Sequence, residues 1–284
     1  VRSALGDDFD AFNVVVRSAA DELAPIRDAH AVLATFDDLR ATTGRSGEGA
    51  LDAVSDAQRA AADHATGSVR ATDPRIGRAR KLLVAGRRQV KGWDIPDGDL
   101  TLVEGLDTSY RRGRRALGRV SAKPTDRGLH EWRKAVQQLW YQIRLIEASA
   151  PSVLGPLAST VDSLAEALGD DHDLAVLIER LQKDPGRYGG KKAVKQARRL
   201  ARAQQDDLRR RAFRLGATVY AERPSSFARR VRTYWQLTRT DGPELATGGI
   251  AQLASEDPRT PHAGFSQNSV ERERKYLLAE APAF

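Results

Sequence analysis

From His130 to Glu147 the chain reads HEWRKAVQQLWYQIRLIE, and no other stretch constrains the fold as tightly. Placed on a helix at roughly 100° per residue, His130, Arg133, Lys134, Gln137, Tyr141 and Arg144 share one stripe. Trp132, Val136, Leu139, Trp140, Ile143 and Ile146 fall opposite, so that face requires a core. The polar stripe carries imidazole, guanidinium, ammonium, amide and phenol groups but no carboxylate, because Glu131 and Glu147 lie off it. A helix that needs only solvation mixes signs. Opposite charges three or four residues apart stabilise it by roughly 0.2–0.5 kcal/mol per pair, and like charges cost as much. Cations beside cations therefore invite an anion from outside. A solvated basic face accounts for the same residues without a ligand, and the stretch alone leaves both readings open.

The rest of the chain can supply the core. With 284 residues, 40% of them hydrophobic and 30% charged, it has the length and balance of one large or two ordinary soluble domains. A net charge of +8 and a pI near 9.9 favour polyanions as a class: nucleic acid, an anionic membrane or polyphosphate. The absence of cysteine excludes disulfides and thiolate metal sites from this sequence. No apolar run approaches the ~20 residues that span a bilayer, and no signal peptide is visible, so a cytoplasmic location without a membrane partner is expected.

In chain order, Phe12, Val16, Ala19, Ala20 and Leu23 recur at helical spacing, and Pro25 is expected to open a second helix. LAPIRDAHAVL from Leu23 aligns without gaps on LGDDHDLAVLI from Leu168, at an offset of 145 residues that pairs Arg27 with His172 and Asp28 with Asp173. This is an internal repeat. Run backward, it pairs Val1 with Ile146, so the counterpart of the HEWRK helix would lie ahead of Val1. The expectation is a sequence that begins inside its first repeat, consistent with a chain that starts at Val1 and contains no methionine.

Further helices are expected over Leu51–Ala65, from the Asp73-Pro74 cap onward, over Leu102–Val120, and from Lys191 and Pro224. Arg75, Arg78, Lys81 and Arg88 share a broad face of the second of these, with Leu82, Leu83 and Val84 expected to supply apolar contacts. Arg111, Arg114, Arg115 and Arg119 line one side of the third; Lys191, Lys195, Arg198, Arg199, Arg202 and Arg209 line the fourth. Gly169-Asp170-Asp171 reads as a helix boundary whose aspartates cap, with low expectation of metal binding. No alternating strand pattern is evident, so the body is expected to be all-α.

HxxRK at His130–Lys134, the following LWY, and AEALGDDHDLAVL from Ala165 to Leu177 together resemble the CHAD family, the conserved-histidine α-helical domains. The resemblance runs from about Val1 to Trp235, and a Tyr with clustered Arg at Tyr110–Arg115 strengthens it. It implies two pseudo-symmetric helical-bundle halves, 1–120 and 121–237, around a basic channel that binds inorganic polyphosphate. The ligand set implied is His130, Arg133, Lys134, Tyr141 and Arg144, approached by Lys81, Arg111, Arg114, Arg115, Lys195, Arg199 and Arg202. Family members commonly carry Lys where this chain has Gln137, which removes one cation. Without the family, His130 reads more readily as a neutral residue closing a core hydrogen bond.

Residues 238–268 are rich in Gly, Pro, Thr and Asp and read as a linker. Beyond them SVERERKYLL resembles the opening strand of CYTH triphosphate-tunnel enzymes, with Glu271 and Glu273 in the metal-binding positions and Lys275 in the phosphate-binding one. A charged tail explains the same residues. The body offers no nucleophile beside a base, no Gly-rich phosphate loop and no metal cluster. It reads as a binding module without a cofactor, and triphosphatase activity would need a CYTH domain to follow. Polyphosphate, or phosphate and sulfate, is the expected partner, with association to polyphosphate granules. Nucleic acid ranks lower, for want of exposed aromatics to stack bases.

Overall fold

The structure is a computed structural model and describes residues 5–43, 48–67, 73–93 and 99–240; the linker beyond Thr240 and the CYTH-like residues Glu271, Glu273 and Lys275 lie outside these. The described residues form helices α1 (Asp7–Thr43), α2 (Glu48–Gly67), α3 (Pro74–Lys91), α4 (Asp99–Ala122), α5 (Asp126–Ile146), α6 (Pro151–Lys183), α7 (Gly190–Val219) and α8 (Pro224–Thr240). Short 3-10 turns occupy Glu147–Ser149 and Pro185–Tyr188. No strand occurs among the described residues, and the fold is all-α. None of the described helices is long and apolar enough to cross a membrane.

Local chemistry sets several helix starts. The Asp73 carboxylate accepts from the Arg75 backbone N–H at 2.8 Å, with Pro74 at the first helical position. The Thr125 hydroxyl accepts from Gly128 N–H at 3.1 Å and opens α5. Gly189 and Gly190 take φ of +78° and +87° between the 3-10 turn and α7, a conformation glycine adopts without steric cost.

Two expected breaks do not occur. Pro25 lies inside α1 and Gly169–Asp171 inside α6, both continuous helices of 37 and 33 residues. A helix-interior proline loses one hydrogen bond and costs about 3 kcal/mol. Burial on both sides of Pro25, by Ala19 before it and Val32, Phe36 and Leu39 after it, outweighs that loss. Likewise Asp171 does not cap a helix. It is buried at 2% exposure, and its backbone carbonyl accepts from Gln205 Nε2 at 3.0 Å. Arg27 pairs with Asp28 at 3.1 Å, also within the helix body. On α3 the inward residues are Ala79 and Gly86, whereas Leu83 and Val84 are 51% and 44% exposed, contrary to expectation. Gly86 is small because the Phe12 ring of α1 lies against it; a Cβ there would meet that ring at 3.2 Å.

Helix starts recur along the chain. Asp7, Glu48 and Pro74 open α1, α2 and α3, and about 145 residues later Pro151, Gly190 and Pro224 open α6, α7 and α8. The described residues separate into two compact units, each discontinuous in sequence. One draws on Val1–Asp97 and Asp170–Asp207, the other on Gly98–Gly169 and the chain from Leu208. In the first unit α1 packs on α2 and α3. In the second, α4 packs on α5 and α8 around a core that includes Leu106, Tyr110, Trp132, Val136, Leu139, Ile143, Leu154, Leu164 and Phe227. Six of the apolar α5 side chains that the sequence turned inward or left on that arc (Trp132, Ala135, Val136, Leu139, Ile143, Ile146) are buried there.

Candidate anion-binding surface

Burying one arc of α5 leaves the opposite arc outside, and this fixes where its cations stand. His130, Arg133 and Lys134 occupy consecutive turns of that arc, half-buried for the first two and exposed for the third. Burial is the largest influence on His130 and lowers its pKa below the ordinary imidazole value; the Lys134 and Arg133 charges push it the same way. Arg133 lies over α6 where the residue beneath is glycine: a Cβ at Gly169 would sit 3.7 Å from its Nε. That Nε is buried and finds no hydrogen-bond partner among the described residues. Tyr141 is 53% exposed, its ring edge-on to Trp140 at 4.9 Å between centroids.

Carboxylates reach onto the stripe from beside it. Glu131 holds Lys134 at 3.0 Å and comes within 3.8 Å of Arg112 on α4. The Lys134 hydrogen bond, with the neighbouring cations, keeps the Glu131 carboxyl below its usual range. Glu147 pairs with Arg144, and Asp107 pairs with Arg111 at 2.7 Å. Arg115 stands exposed on the same helix as Arg111. Arg114 turns elsewhere: its Nη1 donates to the Tyr220 carbonyl at 2.6 Å and to the Glu222 carbonyl, where the Tyr110 hydroxyl also donates at 3.1 Å. These bonds tie α4 to the corner between α7 and α8, and Glu222 is further held by Arg230 at 2.7 Å. Thus Glu131 brings Arg112 of α4 beside Lys134 of α5, Arg111 pairs with Asp107 on its own helix, and Arg114 braces the backbone.

Lys81, Lys195, Arg199 and Arg202 belong to the other unit. Lys195, Arg199 and Arg202 line an open groove of about 620 Å³ along α7, together with Arg198, Ala203 and Asp206. Val194, Ala197 and Ala201 anchor the opposite face of α7 in the core. Lys81 is exposed on α3. Arg198, already on the α7 stripe by its spacing with Lys195 and Arg202, lines the groove with them. Arg112 gave no local signal, because its partner Glu131 lies on a different helix. Among the described residues no group of three or more His, Asp or Glu could hold a metal ion.

Fold and surface together define a class: an all-α protein presenting cations on helices whose other faces are core. The model of the CHAD domain family matches residues 1–182, and the chain belongs to that family. The match ends before α7 begins, and it includes the α5 stripe. Searches among curated proteins and among solved structures returned no match.

Proposed function

We propose that the chain binds inorganic polyphosphate, and more weakly the phosphate and sulfate anions of the same chemistry, and that it docks its protein on polyphosphate bodies. The observation that carries this reading is the α5 stripe. His130, Arg133 and Lys134 stand on adjacent turns of a helix pinned by its apolar face, inside the segment that matches the CHAD family. Linked phosphates need repeated cations at short intervals. Arginine offers forked donors and lysine a point charge. Arg133 brings an Nε with no partner among the described residues, and His130 adds a donor once a polyanion restores its proton. Arg144, Arg111 and Arg115 extend the cation row in the same unit; the α7 groove with Lys195, Arg199 and Arg202 adds basic surface in the other, as does Lys81.

Binding to long-chain polyphosphate, measured by titration at physiological salt, should weaken at least tenfold in the Arg133→Ala/Lys134→Ala double variant, a loss of about 1.4 kcal/mol. Helical content should stay at the wild-type level. Unchanged affinity would remove α5 from the site. Single-stranded RNA competing as strongly as polyphosphate would move the reading to nucleic acid. Against that outcome, Tyr141 is the only aromatic among the strongly exposed large side chains of the described residues, where base stacking needs several.

A further inference from the structure

The α5 stripe is a row of cations, and one of its members, Lys134, already holds an anion. The two oxygens of Glu131 are divided between cations of two helices: Oε1 lies 3.0 Å from Lys134 Nζ on α5, and Oε2 lies 3.8 Å from Arg112 Nη2 on α4. All three side chains are open to solvent, at 44%, 49% and 53% exposure. An ion pair so exposed contributes little to folding. Its larger effect falls on whatever anion approaches. A ligand phosphate that takes Lys134 must break that pair and then sits a few ångströms from a displaced carboxylate of its own sign. A single phosphate group gains one contact for that exchange. A chain of phosphates engages Arg133 and the neighbouring cations through the same molecule, so its further contacts form at high effective concentration.

We propose that Glu131 is a resident counter-ion that Lys134 and Arg112 release only to a ligand of several linked phosphates, so that Glu131 sets the minimum charge the surface accepts. This rests on the reading of α5 as a polyphosphate surface and adds its selectivity. Asp107 on Arg111 and Glu147 on Arg144 are single-cation pairs within one helix turn. Glu131 is distinguished by bridging α4 and α5.

The test compares Glu131→Gln with the wild type for binding of tripolyphosphate and of long-chain polyphosphate. Glu179→Gln serves as a control: it makes the same change in net charge at an exposed position of α6 in the other unit. Removing a like charge a few ångströms from the ligand should tighten tripolyphosphate about tenfold. Long-chain polyphosphate should tighten about threefold or less, because Glu131 opposes only one of its many contacts. The ratio between the two ligands therefore narrows in Glu131→Gln, and Glu179→Gln leaves it unchanged. If Glu131→Gln moves both ligands by the same factor as Glu179→Gln, or weakens either, the counter-ion role is overturned. If long-chain binding is lost in Arg133→Ala/Lys134→Ala while Glu131→Gln behaves as wild type, this inference fails and the polyphosphate reading stands. A wild-type protein that binds neither ligand overturns both.

Discussion

Glycine in a helix is usually a weakness, and replacing it with alanine gains up to about 1 kcal/mol. Three glycines here separate that rule from its exception. A Cβ at Gly113 would lie 2.0 Å from the Tyr220 hydroxyl oxygen, and one at Gly216 would lie 2.5 Å from Trp132 Cζ2, whereas Gly118 has nothing within 4 Å. Gly118→Ala should therefore stabilise the protein, while Gly113→Ala and Gly216→Ala should each destabilise it by about 1–3 kcal/mol through overpacking. Thermal or urea unfolding of the three variants measures the signs, and a stabilising Gly113→Ala would contradict the packing described. The YRRGRRALGR run shows its arginines in the sequence but hides the difference between Gly113 and Gly118, because Tyr220 arrives from a distant segment; Trp132 reaches Gly216 on α7 from just as far away in sequence. His130 has a pH signature of its own. Its folded-state pKa is lowered, so the unfolded chain takes up the proton first. Stability is then full above the ordinary imidazole value near 6.5 and is lost as pH falls below it, down to the folded-state pKa. A bound polyanion favours the protonated form, so polyphosphate affinity should rise as pH falls toward the free protein's lowered pKa. His130→Gln should flatten both slopes, and the imidazole resonance followed by NMR should titrate at higher pH once polyphosphate is added.

At the scale of elements, helix starts were legible where a cap is local and illegible where packing overrides it. Asp73-Pro74 and Thr125 announce α3 and α5 because the capping oxygen and the N–H it serves lie within three residues of each other. Pro25 and Gly169–Asp171 carry equally strong breaking signals, yet α1 and α6 run through them. The buried residues that flank Pro25 lie turns away, and Gln205, which donates to the Asp171 carbonyl, lies on another helix altogether. The same reasoning places a testable weight on Thr125, which precedes the helix that carries the basic stripe. Thr125→Ala leaves Gly128 N–H without its acceptor and should cost about 1 kcal/mol, while Thr125→Ser should keep most of it. Because α5 is held along its length by Trp132, Leu139 and Ile143, the loss should appear in denaturant midpoint with little change in helical content. Collapse of the circular dichroism signal in Thr125→Ala would mean that the cap, not the core face, decides whether α5 forms.

For the whole molecule, the helical period made the fold class legible, since apolar arcs repeat at three and four residues and no stretch alternates. The composition of the two units was not legible. Each unit closes over segments far apart in sequence, and α6 and α7 each contribute to both. The cations of the site could be read for the same reason as the core: they fall on the arcs the core leaves outside. Of the carboxylates that hold them, Asp107 could be read from its place four residues before Arg111, but Glu131 and Glu147 could not, because they lie off the α5 stripe on a helical wheel and reach it through side-chain length. That difference governs how the net charge of +8 acts on a ligand. If affinity came from diffuse charge, any two cations would count alike, and Arg133→Ala/Lys134→Ala would change salt dependence no more than a pair of substitutions elsewhere, such as Arg87→Ala/Arg88→Ala on α3. If binding is contact-driven, each phosphate neutralised on α5 releases counterions, and log K falls with log salt by roughly 0.7 per contact, as for single-stranded polyanions. The α5 double variant should then flatten the slope by about 1.4, two contacts' worth, while the α3 double variant leaves it near wild type. Titrations between about 50 and 200 mM salt resolve a change of that size. Equal flattening by both double variants would assign the binding to the overall charge of the molecule rather than to the stripe on α5.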